Sequence, residues 1–553
     1  MKNSKIESLR TPLYWFYKWE EEQPDQFFFR QPINGQYLDI TWKEAGDEIR
    51  RMAAAINALD LKPGSNIALV SKNCAWWVMC DLAIMMSGHI SIPVYPNVSA
   101  STLNYILDHA EAPLLFVGKL DDWDNMKSGV PSSVKMIGFP HYSEGVGQNW
   151  NDLTVKHEPV QGNPDRDINE LATIIYTSGT TGNPKGVVHD FKNLAYAIEN
   201  AKTVIDLEGD DARFFSYLPM AHIAERMLIE MGAIYLGNTI YFAESLDTFA
   251  KDLVTAQPTV FLGVPRIWTK FQMGILEKMS QKKLDLLLSL PIISGIIKKK
   301  IKGALGLGNA RHYFTGAAPT PPALIKWYKK LGIELQEVYG MTENTAYSHF
   351  TRKGKQKIGS CGFPMPDVDV KINEVGEILV KCHCIMREYY KEPELTAKAV
   401  QDGYLHTGDE GVQDENGYLI ITGRVKDIFK TEKGKYVAPS PIEMKIAKNQ
   451  EVEQVCVVGS TLPQPIAMVV LSEHASGHDT SEVASRLEDV IKRLNPTLEK
   501  HERLKKVVVI KEPWTIENEL LTPTMKMKRG PIEKKYAQRY QDWYADQHTV
   551  IWE

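Results

Sequence analysis

The sequence predicts an α/β protein, with a large N-terminal domain of layered sheets and helices and a smaller α+β C-terminal domain. Three observations carry this prediction. Strand and helix patterns alternate through the first four hundred residues. The tail then changes to a few strands around one amphipathic helix. At 553 residues the chain also exceeds what one hydrophobic core holds. A hydrophobic content of 43% and a charged content of 24% describe an ordinary globular protein, and a net charge of -5 gives no global reason to expect a nucleic-acid partner. The six cysteines (Cys74, Cys80, Cys361, Cys382, Cys384 and Cys456) form no disulfide or zinc framework. Cys382-His383-Cys384 reads as core packing rather than a metal site, with Ile378, Val380, Cys382 and Cys384 alternating onto one strand face.

The N-terminus lacks an uninterrupted apolar stretch of signal-peptide type, and no run of about 20 apolar residues occurs, so no membrane span is expected. A reducing cytoplasm fits the cysteine usage. Thr41 and Glu44 predict a capping box, followed by a helix with Ala45, Ile49, Met52, Ala53, Ile56 and Leu59 on its apolar face. Asn66 to Val70 reads as a buried strand, Ala75 to Ser87 as a helix, and Ile90 to Val94 as a second strand. The helix near Ala323 to Leu331 and the strand Glu334 to Val338 repeat the unit. In the tail, Val455 to Gly459, Ile466 to Leu471 and Val507 to Ile510 read as strands. Val483, Leu487, Val490, Ile491 and Leu494 mark one helix face. The join is placed in Gly423 to Asp427, giving domains 1–424 and 425–553.

One segment fits neither pattern. Lys282 to Lys302 sets leucines and isoleucines beside lysines, and Pro291 and Gly295 interrupt any single helix. Two readings stand: a pair of short core helices with a solvated lysine end, or a membrane-surface element.

The stretch most loaded with chemistry is Tyr176 to Val187, YTSGTTGNPKGV, directly after the apolar run Leu171 to Tyr176. Glycines let several backbone N–H groups converge, while hydroxyls and one ammonium add donors, as a polyphosphate requires. No Gly-Lys-Ser/Thr triplet closes it, so it is not the common phosphate-binding loop. Downstream, Gly316-Ala317-Ala318-Pro319 and Glu337-Val338-Tyr339-Gly340-Met341-Thr342-Glu343 both follow apolar strands, where open α/β sheets hold ligands. Small residues admit a flat base, Tyr339 offers a stacking face, Thr342 a hydroxyl and Glu343 a carboxylate for Mg²⁺. Asp409, in Tyr404-Leu405-His406-Thr407-Gly408-Asp409, suits two ribose hydroxyls; a Gly/Asp-rich turn is the competing reading. Lys526, in Leu521-Thr522-Pro523-Thr524-Met525-Lys526, could offset charge developing at phosphorus; a solvated basic loop competes.

Taken together, TSGTTGNPKG, YLPMAHIAER, FTGAAP, VYGMTE, YLHTGD, GRVKDIF and LTPTMKMKR occur in the order of the adenylate-forming (AMP-binding) superfamily, which the chain resembles from about Thr41 to Arg529. The run from Asp402 to Glu443 and Gly263-Val264-Pro265-Arg266-Ile267-Trp268 look like the long-chain fatty acyl-CoA synthetases. The resemblance implies ATP-dependent activation of a long-chain fatty acid to acyl-AMP and transfer to coenzyme A, with ATP, Mg²⁺ and coenzyme A at the site. It implies an AMP-binding and acyl-binding N-terminal domain and a mobile C-terminal lid. It assigns the phosphates to Thr177, Ser178, Gly179, Thr180, Thr181, Gly182 and Lys185. Adenine goes to Gly316, Ala317, Ala318, Glu337, Val338, Tyr339 and Gly340, and the α-phosphate to Thr342. Glu343 takes Mg²⁺, Asp409 the ribose with Arg424 in support, and Lys526 the adenylation step. His222 lies at the acyl pocket beside the nucleotide, with Val264 in the substrate set and Trp268 as an aromatic gate. Lys426 takes the hinge position, where many relatives have Asp, and Gly434 lies on the pantetheine path. Other expectations stay open: an adenylating ligase for a sterol or aromatic acid, transfer to a carrier protein, and an inactive nucleotide-binding scaffold. So do a homodimer and peripheral contact with the inner face of a membrane.

Overall fold

The computed structural model describes residues 6–143, 145–177, 183–205, 212–472, 475–516, 518–522 and 525–553. Two compact units divide the chain. One comprises Met1–Gly179, Asn183–Asp369 and Val380–Leu405; the other is chiefly Val370–Leu379 and His406–Glu553.

The first unit is α/β and contains two sheets. The larger runs, edge to edge, Phe363–Pro364, His349–Phe350, Leu335–Tyr339, His312–Gly316, Val260–Gly263, Arg213–Ser216, Thr239–Phe242, Phe27–Ile33 and Gln36–Thr41. The pairs from Leu335–Tyr339 through Phe27–Ile33 are parallel, with Thr315 beside Glu337 and Gly316 beside Val338. The other sheet runs Glu388–Tyr389, Lys185–Asp190, Leu171–Thr177, Ile90–Val94, Asn66–Val70, Leu114–Val117, Lys135–Gly138 and Gln148–Asn149. Its central strands are parallel and fully buried, which explains their continuous apolar runs.

Local sequence rules account for much of this. Thr41 caps Trp42–Asn57 by accepting from the Glu44 backbone N–H at 3.2 Å, while the Glu44 carboxylate accepts from the Thr41 N–H at 2.8 Å. That helix buries Ala45, Ile49, Met52, Ala53 and Ile56, the face its 3.6-residue spacing selects. Ala75–Met86 is buried along its whole length, so it shows no amphipathic face.

In the second unit, Tyr404–Gln413 and Leu419–Arg424 pair antiparallel from Gln413↔Leu419 to Asp409↔Arg424. The Val425 N–H then bonds the Gly408 carbonyl at 3.0 Å and the Asp427 N–H bonds the Arg424 carbonyl at 3.0 Å, turning the chain at Val425-Lys426. A four-stranded sheet follows, ordered Val452–Val458, Ile466–Leu471, Lys506–Val509 and Val550–Trp552. The helix Thr480–Leu494 buries Val483, Leu487, Ile491 and Leu494.

Two expectations need correction. The strand Glu377–Lys381 stops before Cys382, so Cys382 and Cys384 lie in a turn rather than on that strand's face. Only Cys384 is fully buried, and the two Sγ atoms are 3.4 Å apart. In the basic segment, Gly295 does not break a helix. Gln281–Ser289 and Pro291–Ala304 are two helices, with Pro291 opening the second, where its missing N–H costs nothing. Their buried residues are Leu284 and Ser294, so the pair packs on the core by one side only.

Candidate active site

The strand Leu171–Thr177 carries Thr177 at its end, and Lys185 opens the antiparallel strand Lys185–Asp190, with Thr177 paired to Lys185. Ser178, Gly179, Thr180, Thr181 and Gly182, between these strands in the sequence, lie outside the described residues.

The Lys185 ammonium sits 5.5 Å from the centre of the Tyr389 ring, a cation–π contact. The Tyr389 hydroxyl donates to Glu343 Oε1 at 2.8 Å. Lys185, Tyr389 and Glu343 therefore form one row linking the end of the expected phosphate-binding segment to the expected metal carboxylate. Burial raises the Tyr389 phenol, with the Glu343 charge adding to it, so the phenol stays a donor. Backbone bonds hold the row in place: Tyr389 pairs with Val187, and the Met386 N–H bonds the Glu343 carbonyl at 2.7 Å.

Thr342 and Glu343 lie on a single 3₁₀ turn, Thr342–Asn344. After it, Thr345 and Ala346 both have positive φ, at 56° each. Gly340 faces this turn so closely that a Cβ would lie 2.5 Å from the Ala346 carbonyl carbon; no side chain fits. On the other side, buried His189 approaches the Thr342 carbonyl oxygen with Nε2 at 2.8 Å, while Nδ1 lies 3.2 Å from Asn193 Nδ2. A carbonyl only accepts, so Nε2 carries the proton and Nδ1 accepts. Burial lowers this imidazole to about 4 and so keeps it neutral.

The strand ends His312–Gly316 and Leu335–Tyr339 lie side by side. Ala317 leaves the first with φ 63°, and Ala317 and Ala318 are exposed. Glu337, Val338 and Tyr339 are each half-buried. The Tyr339 ring centre is 6.1 Å from that of His349. Desolvation raises Glu337 to about 8, so it holds a proton at neutral pH.

His222 caps the next helix, Nδ1 accepting from the Ala224 N–H at 3.2 Å. A buried polar network lies just beyond. Glu225 accepts from Ser216 and the Tyr217 N–H at 3.0 Å each, and burial raises it to about 8. Arg226 meets Asp81 at 2.6 Å and Glu230 at 3.3 Å, all fully enclosed. Arg226–Met231 is a π-helical turn, whose extra residue directs Arg226 and Glu230 inward.

Val264 ends the loop before Pro265–Lys278. Trp268 is fully buried, its indole N–H shared between the Gly263 carbonyl at 3.0 Å and the Phe314 carbonyl at 3.2 Å. A Cβ on Gly263 would lie 2.8 Å from that indole nitrogen, so glycine is what lets the ring in.

The second unit holds the remaining candidates. Asp409 and Arg424 are cross-strand partners, with Nε to Oδ1 at 3.0 Å. Lys426 is exposed at the turn. Gly434, with φ 76°, turns the chain between Phe429–Lys430 and Tyr436–Val437. Lys526 is exposed, and its backbone is tied to the residues before 523: Leu521 bridges Met527, the Thr522 N–H bonds the Lys526 carbonyl at 2.7 Å, and the Lys526 N–H bonds Thr522 Oγ1 at 3.0 Å. Arg529 is anchored to Glu443 at 2.5 Å and the Val457 carbonyl at 2.7 Å.

Sequence reasoning missed His189, Tyr389, Asp81 and Glu230. His189, Tyr389 and Asp81 meet their partners only through tertiary packing, while Glu230 meets Arg226 four residues back on the same π-helical turn.

Family comparison agrees with the order of these parts. Residues 16–390 match the AMP-binding enzyme family, and residues 426–548 match the AMP-binding enzyme C-terminal domain. The chain belongs to the AMP-binding enzymes. The long-chain-fatty-acid–CoA ligase FadD15 of Mycobacterium bovis is 28% identical, over 94% of this chain and 94% of its own. Long chain acyl-CoA synthetase 2 of Arabidopsis thaliana is 28% identical, over 97% and 92%. Among solved structures, the adenylation domain of a carboxylate reductase from Mycobacterium chelonae has a TM-score of 0.81 at 23% identity, covering 97% of this chain and 91% of its own. The corresponding didomain from Segniliparus rugosus, in complex with AMP, has a TM-score of 0.80 at 22% identity, covering 97% and 82%. These two likenesses show the adenylation fold. Among the described residues of this AMP-binding enzyme, no helix is long and apolar enough to cross a membrane.

Proposed function

We propose that this AMP-binding enzyme joins a long-chain fatty acid to coenzyme A at the expense of ATP. The observation that carries the reading is a likeness to curated long-chain fatty acid ligases running through nearly the whole of both chains.

In the first half-reaction a carboxylate oxygen attacks the α-phosphorus of ATP and the bond to pyrophosphate breaks, giving acyl-AMP. In the second the coenzyme A sulfur attacks the acyl carbonyl carbon, the bond to AMP breaks, and the thiol proton leaves to solvent. The nucleophiles belong to the substrates, so no protein cysteine is required. Lys185 and the loop before it hold the β- and γ-phosphates. Thr342 donates to the α-phosphate, and Gly316 to Ala318 with Glu337 to Gly340 frame adenine. Asp409 accepts from the ribose, oriented by Arg424. Lys526 offsets charge in adenylation. His222 and Val264 lie against the acyl group, and we assign Trp268 to a fixed wall rather than a swinging gate, since its indole is pinned.

The residues present fit Mg²⁺ carried by the nucleotide. Among the described residues no cluster of three carboxylate, His or Cys side chains offers an all-protein cage, and Mg²⁺ ordinarily takes one or two carboxylates beside phosphates and water. Glu343, oriented by Tyr389, would be that carboxylate. Bound there, the ion would neutralise phosphate charge during displacement.

We also propose that residues 425–553 act as a mobile lid on a body of residues 1–424, turning at Lys426, with Gly434 on the pantetheine path. A cytoplasmic location and a homodimer remain part of this proposal.

The test is a ligase assay across acids of graded length, following pyrophosphate, AMP and thioester. Long-chain acids should give all three products. Exchange with aromatic acids alone would replace the substrate class, and no acid-dependent exchange at all would favour a scaffold.

A further inference from the structure

The helical hairpin Gln281–Ser289 and Pro291–Ala304 is apolar on two sides, which an ordinary surface helix is not. Its inner side belongs to the core cluster of Trp268, Tyr313 and Tyr328: Leu284 is buried there, and Leu288, Ile297 and Ile301 pack against it. Its outer side leaves Leu286 63%, Ile292 83% and Ile296 62% exposed, with Leu290 and Ile293 also open to solvent. These five side chains fall within 286–296, around the hairpin tip.

Lysines collar this tip. Lys282 and Lys283 lie four and three residues before Leu286, and Lys299 and Lys300 lie three and four after Ile296. On a helix, three- and four-residue spacings share a face. Each arm therefore continues the stripe of its exposed apolar residues into lysine, one turn from the tip. Lys282, Lys283, Lys299 and Lys300 are all exposed. Residues 282–302 hold six lysines and one aspartate, in a chain whose net charge is -5. That aspartate, Asp285, is paired with Lys330 at 3.1 Å.

We propose that the hairpin tip docks the enzyme on an anionic lipid surface. Leu286, Leu290, Ile292, Ile293 and Ile296 enter the acyl boundary, and Lys282, Lys283, Lys299 and Lys300 lie at the headgroups, their stems along the apolar layer. The charge pattern selects this occupant. A second copy meeting the same patch across a two-fold axis would set lysine collar against lysine collar. An anionic bilayer matches both the apolar tip and the single-sign collar. The docking stands independently of the acid the enzyme activates. If that acid is long-chain, the tip also brings the enzyme to where such acids partition.

The full-length protein should be sedimented with vesicles of phosphatidylcholine alone and of phosphatidylcholine with phosphatidylglycerol. Binding is expected only to the anionic vesicles, and should weaken with salt. Ile292→Ser/Ile296→Ser and Lys299→Gln/Lys300→Gln should each reduce it about tenfold or more. Both pairs are at the surface, so thermal unfolding and turnover of a short soluble acid should match the parent. Indifference of the parent to anionic vesicles at low salt would overturn the proposal. So would parental binding by the serine pair, which would make adsorption a matter of charge alone. Sedimentation velocity supplies the third decision: a dimer that the serine pair converts to monomer, with lipid binding intact, would assign the tip to a second copy.

Discussion

The Nε2 atom of His189 lies 2.8 Å from the backbone carbonyl oxygen of Thr342, joining the strand Lys185–Asp190 to the turn that carries Thr342 and Glu343. The same imidazole is within 3.4 Å of Thr345 Oγ1, so it touches both ends of a turn with two positive-φ residues. His189 is thus placed to position the turn without touching substrate.

Replacing His189 with Leu should lower kcat/KM for ATP about tenfold, by freeing the Thr342 carbonyl, while His189→Gln, which can still donate, should recover much of it. The pH dependence gives a second check. The folded imidazole, at about 4, binds fewer protons than an unfolded one at about 6.5. Its contribution to stability is therefore lost as pH falls from about 6.5 toward 4. The Gln variant should lose less of its melting temperature than the parent across that window, measured by thermal denaturation.

Glu337 predicts the opposite slope. Burial raises its carboxyl to about 8, so between about 4.5 and 8 the folded protein holds a proton that the unfolded chain releases. Its share of stability falls as pH rises through that interval, by at most about 1.4 kcal/mol per unit. Glu337→Gln mimics the protonated form. Its melting temperature should gain on the parent's steadily from pH 5 to 8; parallel curves would show an ionised Glu337.

Trp268 joins packing and polar satisfaction in one side chain. Trp268→Ala should cost about 3–5 kcal/mol in denaturant unfolding, since it opens a cavity and strips a donor from the Gly263 and Phe314 carbonyls. Trp268→Phe should cost less and keep the enzyme testable. If the indole is a wall of the acyl site, the Phe variant should shift the chain-length profile while the KM for ATP stays near the parent's.

What the sequence revealed and what it hid follow one division. The Thr41/Glu44 box was legible because its two bonds close within three residues. The buried strands Asn66–Val70 and Ile90–Val94 were legible because parallel central strands are apolar throughout. His189 and Tyr389 were not, because their partners lie 153 and 46 residues away. Cys382 misled because apolar alternation continued past the strand's end at Lys381. Gly295 misled because its cost inside a helix, about 1 kcal/mol relative to Ala, can be borne.

Asp409 and Arg424 are cross-strand partners, so the carboxylate is oriented by a fixed strand rather than a free side chain. Asp409→Ala should raise the KM for ATP more than tenfold, the worth of a charge-assisted acceptor being about 1.5–3 kcal/mol. Arg424→Ala should raise it less, because Asp409 keeps its place in the ladder. Initial rates over a range of ATP concentrations distinguish the two, and an unchanged KM in both would move the ribose elsewhere.

Lys526 offers the sharpest division of the two half-reactions. Thr522 and the Leu521–Met527 bridge tie its backbone, and Arg529 ties the following residues to Glu443, while Lys526 itself is exposed. A cation suits charge that develops at one phosphorus and is of little use to thiol attack on a carbonyl. Lys526→Ala should therefore slow acid-dependent pyrophosphate release about 10²–10³-fold, as for loss of one charge-stabilising donor. Thioester formation from supplied acyl-AMP should continue near the parental rate. The backbone clasp does not involve the ammonium, so the melting temperature should hold. Near-parental pyrophosphate release by the variant would remove Lys526 from the adenylation step, and equal losses in both half-reactions would make it a general anchor of the loop.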